Sequence, residues 1–303
     1  VIFRTSCFRR KSREAVAGIL FSLPIILGLI VWVIAPMAGV LAVSLTDWNV
    51  FSPPSLVGFS NYAKLFTADL FFWNSLKVTL YFVALNTVLT TVYALAVAVL
   101  LNQKILARGA LRAVFYLPTI VPVVASSALW LWLYNPDFGL FNTILQGLGL
   151  PRASWLSSQA TVVPSIVLMN VWCTAGNAIV IFLAALQGVP RQLLEAVEID
   201  GGNAWHRFRA VAVPMISPVL FFNVMTGMIN SFSVFTQSYV MTNGGPNNAS
   251  LFYVLFLYRE GFQRNNMGGA AALSCVLILI VAVFGGILLK SSDRWVYYEG
   301  GNS

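Results

Sequence analysis

Charged positions along the chain punctuate six long uncharged intervals: Ala15 to Thr46, Val78 to Gln103, Ala113 to Pro136, Ala153 to Pro190, Ala210 to Tyr258 and Asn265 to Leu289. They hold 32, 26, 24, 38, 49 and 25 residues. Each exceeds the ~20 apolar residues that cross a bilayer as a helix. The two longest also carry polar, Pro- and Gly-bearing stretches, "PRASWLSSQATVVP" and "TNGGPNNAS", that trim them to one span apiece. The pattern predicts an all-α membrane protein, a bundle of six transmembrane helices with cores near 16–44, 78–101, 113–134, 162–186, 211–240 and 269–289. An N-terminal segment (1–15) and a tail (291–303) flank the spanning domain, 16–290.

Composition agrees with this class. The chain is 58% hydrophobic and 9% charged, with mean hydropathy +0.80, whereas soluble domains carry about 25% charged residues. The net charge of +8 is explained by where the cations fall. Thirteen Lys and Arg lie in the N-terminus (Arg4, Arg9, Arg10, Lys11, Arg13), the 102–112 loop (Lys104, Arg108, Arg112), the 187–210 loop (Arg191, Arg207, Arg209) and the tail (Lys290, Arg294). Five lie on the opposite side: Lys64, Lys77, Arg152, Arg259 and Arg264. The positive-inside rule then puts both termini in the cytoplasm, and the basic balance reads as a topology signal instead of a nucleic-acid footprint. The first apolar run is far longer than a signal-peptide core and is read as a retained span. Trp130, Trp132 and Tyr134, closing the third span, read as an interfacial aromatic belt.

The cores contain no Asp, Glu, Lys, Arg or His, which argues against proton relays, although a sodium site built from backbone and Asn/Ser groups stays open. Gly285 followed by Lys290 and Ser291 lacks the second glycine of a phosphate loop. Three scattered cysteines (Cys7, Cys173, Cys275) and one histidine indicate neither a disulfide framework nor a metal site. No cofactor is expected on this chain, and energy for uphill movement is expected from another subunit.

Polar groups inside the spans fall in register. Asn170 and Asn177 share a face of the fourth span, and Asn223, Asn230 and Gln237 repeat at sevens on the fifth, with Ser233 on the same stripe. One reading is interhelical hydrogen bonding, worth roughly 0.6 kcal/mol per bond. The other is the lining of a hydrophilic solute pathway, with Trp172, Phe232, Phe235 and Tyr239 as stacking surfaces. Both can hold at once.

The acids concentrate in "LLEAVEIDGGNAWHRF", residues 193–208. An Asp at a helix centre costs about 3 kcal/mol to insert, so this segment belongs in the cytoplasmic loop 188–210 between spans four and five. Pro190 suits a first helical position and Gly201-Gly202 a stop. Leu193, Leu194 and Val197 form one face of the intervening helix, with Arg191, Glu195 and Glu198 on the other. Asn203 caps a second helix running through Trp205, Phe208 and Val211 into the fifth span. The helix either lies on the bilayer surface or docks a soluble partner.

"EAVEIDGG" followed by "FRAVAVPMISPVL" resembles the Glu-Ala-Ala signature of permease subunits in ABC importers that use a binding protein. Glu195, Ala196, Asp200 and Gly201 sit on signature positions, with Pro214 at its close; Val197, Gly202 and Val213 depart mildly from the usual residues. "LVGFSNY" (56–62), "LRAVFYLPTIVPVVASSALWLWLYNPDFGLFN" (111–142), "LQGVP" (186–190), "TNGGPNNAS" (242–250) and "YREGFQRNNMGGAAALS" (258–274) extend the likeness to the maltose-type, carbohydrate branch.

The resemblance implies a non-catalytic permease subunit of the bacterial or archaeal cytoplasmic membrane. Its partners would be a second homologous permease, two cytoplasmic ATPase subunits holding ATP and Mg, and an extracytoplasmic solute-binding protein. It implies that the loop is a coupling helix seated in a cleft of the ATPase. The residues this assigns to coupling are Arg191, Glu195, Ala196, Glu198 and Asp200 with the turn at Gly201 and Gly202; Trp205, Arg207 and Phe208 follow in the second helix, where His206 is an ordinary surface histidine. The implied solute is a neutral sugar or oligosaccharide, against the alternatives of glycerol-3-phosphate or a glycerophosphodiester within the branch. Outside it stand an ion-coupled secondary transporter and a membrane-embedded enzyme or scaffold.

Overall fold

A computed structural model describes residues 18–103 and 105–297. The predicted segment 1–15, the first two residues of the first span, Lys104 and the tail end 298–303 lie outside the described residues. The described elements are helical apart from a single antiparallel bridge between Thr46 and Leu56. In chain order they are α1 (Gly18–Ser44), α2 (Ser60–Thr67), α3 (Leu70–Asn102), α4 (Arg108–Ile120), α5 (Val123–Leu133), α6 (Leu140–Gly147), α7 (Val162–Gln187) and α8 (Arg191–Ile199). There follow α9 (Ala204–Met215), α10 (Ser217–Phe232), α11 (Thr236–Met241), α12 (Tyr253–Tyr258) and α13 (Met267–Ser292). Helices α1, α3, α7 and α13 are each long and apolar enough to cross a membrane alone. The bent pairs α4–α5 and α9–α10 bring the number to six if each is one span.

Two of the predicted cores are not straight rods. The third, 113–134, turns by 101° between α4 and α5. Val121 is extended (φ −72°, ψ 130°) ahead of Pro122, as the clash of a proline ring with the preceding residue requires. The fifth, 211–240, bends by 68° between α9 and α10, at Ile216 between Pro214 and Pro218, where a kink is expected because neither proline can donate to the helical ladder. Its helix also stops at Phe232 instead of 240, and the chain resumes as α11 after Ser233–Phe235. The second span starts earlier than predicted, at Leu70, where the Asp69 carboxylate accepts from the Phe71 and Phe72 amides. Pro190 caps α8 from outside and Arg191 is its first helical residue, one later than predicted.

Two compact units are distinguished among the described residues. One runs to Thr67 and resumes over Glu260–Leu277; the other covers Ala68–Arg259 and continues from Ile278. In the first, the Asn61 amide donates to the carbonyls of Ser44 (2.8 Å) and Thr46 (2.7 Å), and Ser44 Oγ shares a 2.7 Å hydrogen bond with Tyr62. A Ser55 amide bond at 2.8 Å holds the exposed Asp47 carboxyl below its usual range. Glu260 is buried with Arg264 and Asn266 as partners.

The second unit is built on α3 crossing α7. Ala94, Ala98 and Ala175 are almost completely buried there, small residues that let helix backbones approach closely. One core cluster joins them to Ile179, Phe182, Leu183 and Ile216; another gathers Phe82, Trp130, Tyr134, Ile166 and Met169. The predicted aromatic belt therefore divides. Trp132 is exposed, whereas Tyr134 is 2% exposed, donates to Ser165 O at 2.9 Å and rests against Phe141 and Trp155. The turn after α5 folds these rings inward, which span length alone does not foretell.

Below this cluster Asn142 satisfies four groups at once. Its Nδ2 donates to Pro136 O and Ala153 O, and its Oδ1 accepts from Ala153 N and Trp155 Nε1, all within 3.0–3.1 Å. Asn142→Leu is expected to destabilise the protein by about 2–4 kcal/mol, because each buried group left unpaired costs ~1–3 kcal/mol. Thermal unfolding of the detergent-purified variant measures this, and an unchanged midpoint would contradict it.

Candidate functional site

Local sequence builds the 188–210 loop. Helix α8 ends in a Schellman turn: Gly201 is left-handed (φ +82°), its N–H reaches Glu198 O at 3.1 Å and the Gly202 N–H reaches Val197 O at 2.8 Å. Asn203 then caps α9, its Oδ1 accepting from the His206 amide at 3.0 Å. Arg207 of α9 reaches back to Glu198 of α8 at 2.8 Å, so the two short helices are tied at the turn and again across it. Leu194 and Phe208 pack on the core cluster around Ala94 and Ile216. No residue of α8 is buried. Leu193, Ile199 (86% exposed) and Trp205 (62% exposed) offer apolar surface beside the exposed Arg191, Glu195, Ala196 and Asp200.

The second feature is a cavity of about 550 Å³ in the second unit, walled by α3, α7, α10 and the Ser233–Gln237 segment. Six of the eight sequence-selected pathway residues line it: Asn170, Asn177, Asn223, Asn230, Ser233 and Gln237. Phe235 lines it too. Trp172 and Tyr239 stand outside it. Each lies two residues past a lining residue, about 200° around a helix, and each packs on other rings instead: Trp172 on Trp130 (5.8 Å), Tyr239 on Phe235 and Tyr258. Phe232 is buried against Phe284.

Sequence reasoning passed over a wall. Asn86, Thr87, Thr90 and Thr91 of α3 line the cavity, as does Ser231. The signal was present, since those four positions share one face of α3. The Thr87, Thr90 and Thr119 hydroxyls are buried with no hydrogen-bond partner among the described residues, an arrangement rare for buried polar atoms. No charged side chain is among the lining residues.

Four of the lining side chains are bonded in series. Gln237 Nε2 donates to Asn170 Oδ1 (2.7 Å), Asn170 Nδ2 to Asn86 Oδ1 (2.9 Å), Asn86 Nδ2 to Ser231 Oγ (2.8 Å), and Ser231 Oγ to Gly227 O (2.7 Å). The polar stripe thus serves both of its readings, bonding the helices and facing a cavity.

Residues 91–296 match the family model described as "Binding-protein-dependent transport system inner membrane component". The chain is 34% identical to the probable ABC transporter permease protein YesP of Bacillus subtilis, across 96% of this chain and 95% of that one. It is also 34% identical to the trehalose/maltose transport system permease protein MalF of Thermococcus litoralis, across 92% of this chain and 95% of that one. Among solved structures, a chain from a bacterial alginate ABC transporter, crystallised with an alginate pentasaccharide-bound periplasmic protein, matches at TM-score 0.80 and 21% identity, covering 94% of this chain and 96% of its own. That likeness establishes a shared fold.

Proposed function

Because this chain belongs to the family of inner-membrane components of binding-protein-dependent transport systems, we propose that it forms half of the translocation pathway of an ATP-driven importer for a neutral sugar or oligosaccharide. The observation that carries the solute class is the cavity whose lining amides and hydroxyls include no charged side chain. Such a lining can exchange hydrogen bonds with a polyol, and it offers no counter-charge to a phosphate ester. The trehalose/maltose name of the Thermococcus relative points the same way. Family membership takes the place of the ion-coupled and enzyme alternatives.

In this reading α3, α7, α13 and the two bent pairs join α1 as six spans with both termini cytoplasmic. The α8–α9 element is the handle through which a cytoplasmic ATPase acts. Its exposed Leu193, Ile199 and Trp205 suit a cleft, while Arg191, Glu195 and Asp200 ring that contact. Gly201 and Gly202 form the turn, and the Glu198–Arg207 pair keeps the lever stiff. Rigid-body movement of such an element lets ATP closure bias the pathway. A second permease, two ATPase subunits with ATP and Mg, and a solute-binding protein complete the machine.

Reconstitution tests this. The chain alone in proteoliposomes is expected to hydrolyse no ATP and accumulate no maltose, trehalose or maltotriose. With its partner permease, ATPase pair and binding protein it is expected to accumulate at least one of them when ATP is supplied. Uphill accumulation by the chain alone would sink the proposal.

A further inference from the structure

We infer that the side-chain series ending on Gly227 O fixes the direction in which the cavity's amides point, making Asn86 and Ser231 positioning residues that turn the carbonyl of Gln237 towards the solute. This rests on the cavity holding the solute. Its starting point is that a backbone carbonyl can only accept. Ser231 Oγ spends its single proton on Gly227 O at 2.7 Å, so towards Asn86 it can only accept. Asn86 must therefore present its NH₂ to Ser231, which leaves its Oδ1 for Asn170. Asn170 in turn presents Oδ1 to Gln237, and Gln237 must donate with Nε2. One immovable acceptor on α10 thus sets three amides, on α3, α7 and α11.

The consequence falls at the open end. Gln237 Oε1 accepts no hydrogen bond from the described residues, and Gln237 lines the cavity. A solute meeting it must bring an O–H or N–H. A sugar hydroxyl does so, whereas an ionised carboxylate or phosphate oxygen faces another acceptor at this position and is disfavoured there. Without the Gly227 anchor, the series could reverse and offer an N–H there instead. Selection against anions is then a property of orientation, enforced by residues that need not touch the solute.

The test is equilibrium dialysis on the detergent-purified permease–ATPase complex without its binding protein. The probes are maltotriose and its aldonic acid, which carries a carboxylate. The wild-type complex is expected to prefer the neutral probe by about tenfold, the size of one decisive hydrogen bond. Ser231→Ala and Asn86→Leu should bring the preference close to unity, and Ser231→Thr, which keeps the hydroxyl, should restore it. A loss of binding to both probes alike, without change of preference, would mark a merely structural role and overturn the inference. So would a wild-type preference for the acid, or binding of neither probe. Asn223→Trp, which fills the cavity, separates the two levels: if it leaves binding intact, the cavity is not the solute site and the underlying reading fails.

Discussion

Gly201→Val is expected to abolish most ATP-driven uptake while leaving the protein inserted and folded. Gly201 holds φ +82°, a region that costs an L-residue about 1–2 kcal/mol and is worse for a β-branched one. A Cβ built at Gly201 meets nothing within 4 Å, so crowding plays no part and the substitution isolates the backbone. Valine must leave the left-handed region, breaking the Gly201–Glu198 and Gly202–Val197 bonds that turn α8 into α9. The handle then meets the spans at a different angle. The expected fall is roughly tenfold or more, in line with coupling energies of 1–3 kcal/mol. Transport in proteoliposomes, read beside ATP hydrolysis, measures it; wild-type uptake would refute the lever role. Glu195→Lys is expected to act in the same direction through the docking face alone.

A large effect on stability is also expected from Gly176→Leu. Helices α4 and α7 touch at this glycine. An added Cβ would collide with Thr119 Oγ1 and lie 3.1 Å from Phe115 O and 3.2 Å from Tyr116 Cα. Threonine can rotate away; the Phe115 carbonyl and the Tyr116 Cα belong to the backbone and cannot. Overpacking of this kind costs about 1–3 kcal/mol or more, here a fall of about 5 °C or more in the thermal midpoint. Gly286→Leu is the control. It lies in the helical interior of α13 with nothing within 4 Å of the added Cβ, so the gain of ~1 kcal/mol in helix propensity should dominate. Equal midpoints for the two variants would contradict the close contact.

Much of this protein was legible before any coordinates. The uncharged intervals placed α1, α7 and α13 within a few residues, because a bilayer fixes the length of a spanning helix. The Schellman turn and the Asn203 cap were readable because a cap depends on residues within one turn of it. Helical period relates Asn170 to Asn177 on α7 and Asn223 to Asn230 on α10, whereas Ser233 and Gln237 lie past the end of α10 and line the cavity without sharing that helix. Trp172 and Tyr239 fall outside the cavity because of the angle at which each projects from its helix, and the α3 wall was passed over although Asn86, Thr87, Thr90 and Thr91 share one face.

The sequence by itself determined the all-helical membrane class, the capped turn between α8 and α9 and the absence of charge in the cores, since all of these follow from composition and contacts a few residues apart. Only the tertiary structure decided that the chain turns by 101° between α4 and α5, that Trp130 and Tyr134 face inward, and that amides from three helices form one directed series. The directed series depends on which faces meet across 67 to 145 positions of chain and the inward turn of Tyr134 on Ser165, 31 positions away, and no local pattern records which distant partner a side chain will find.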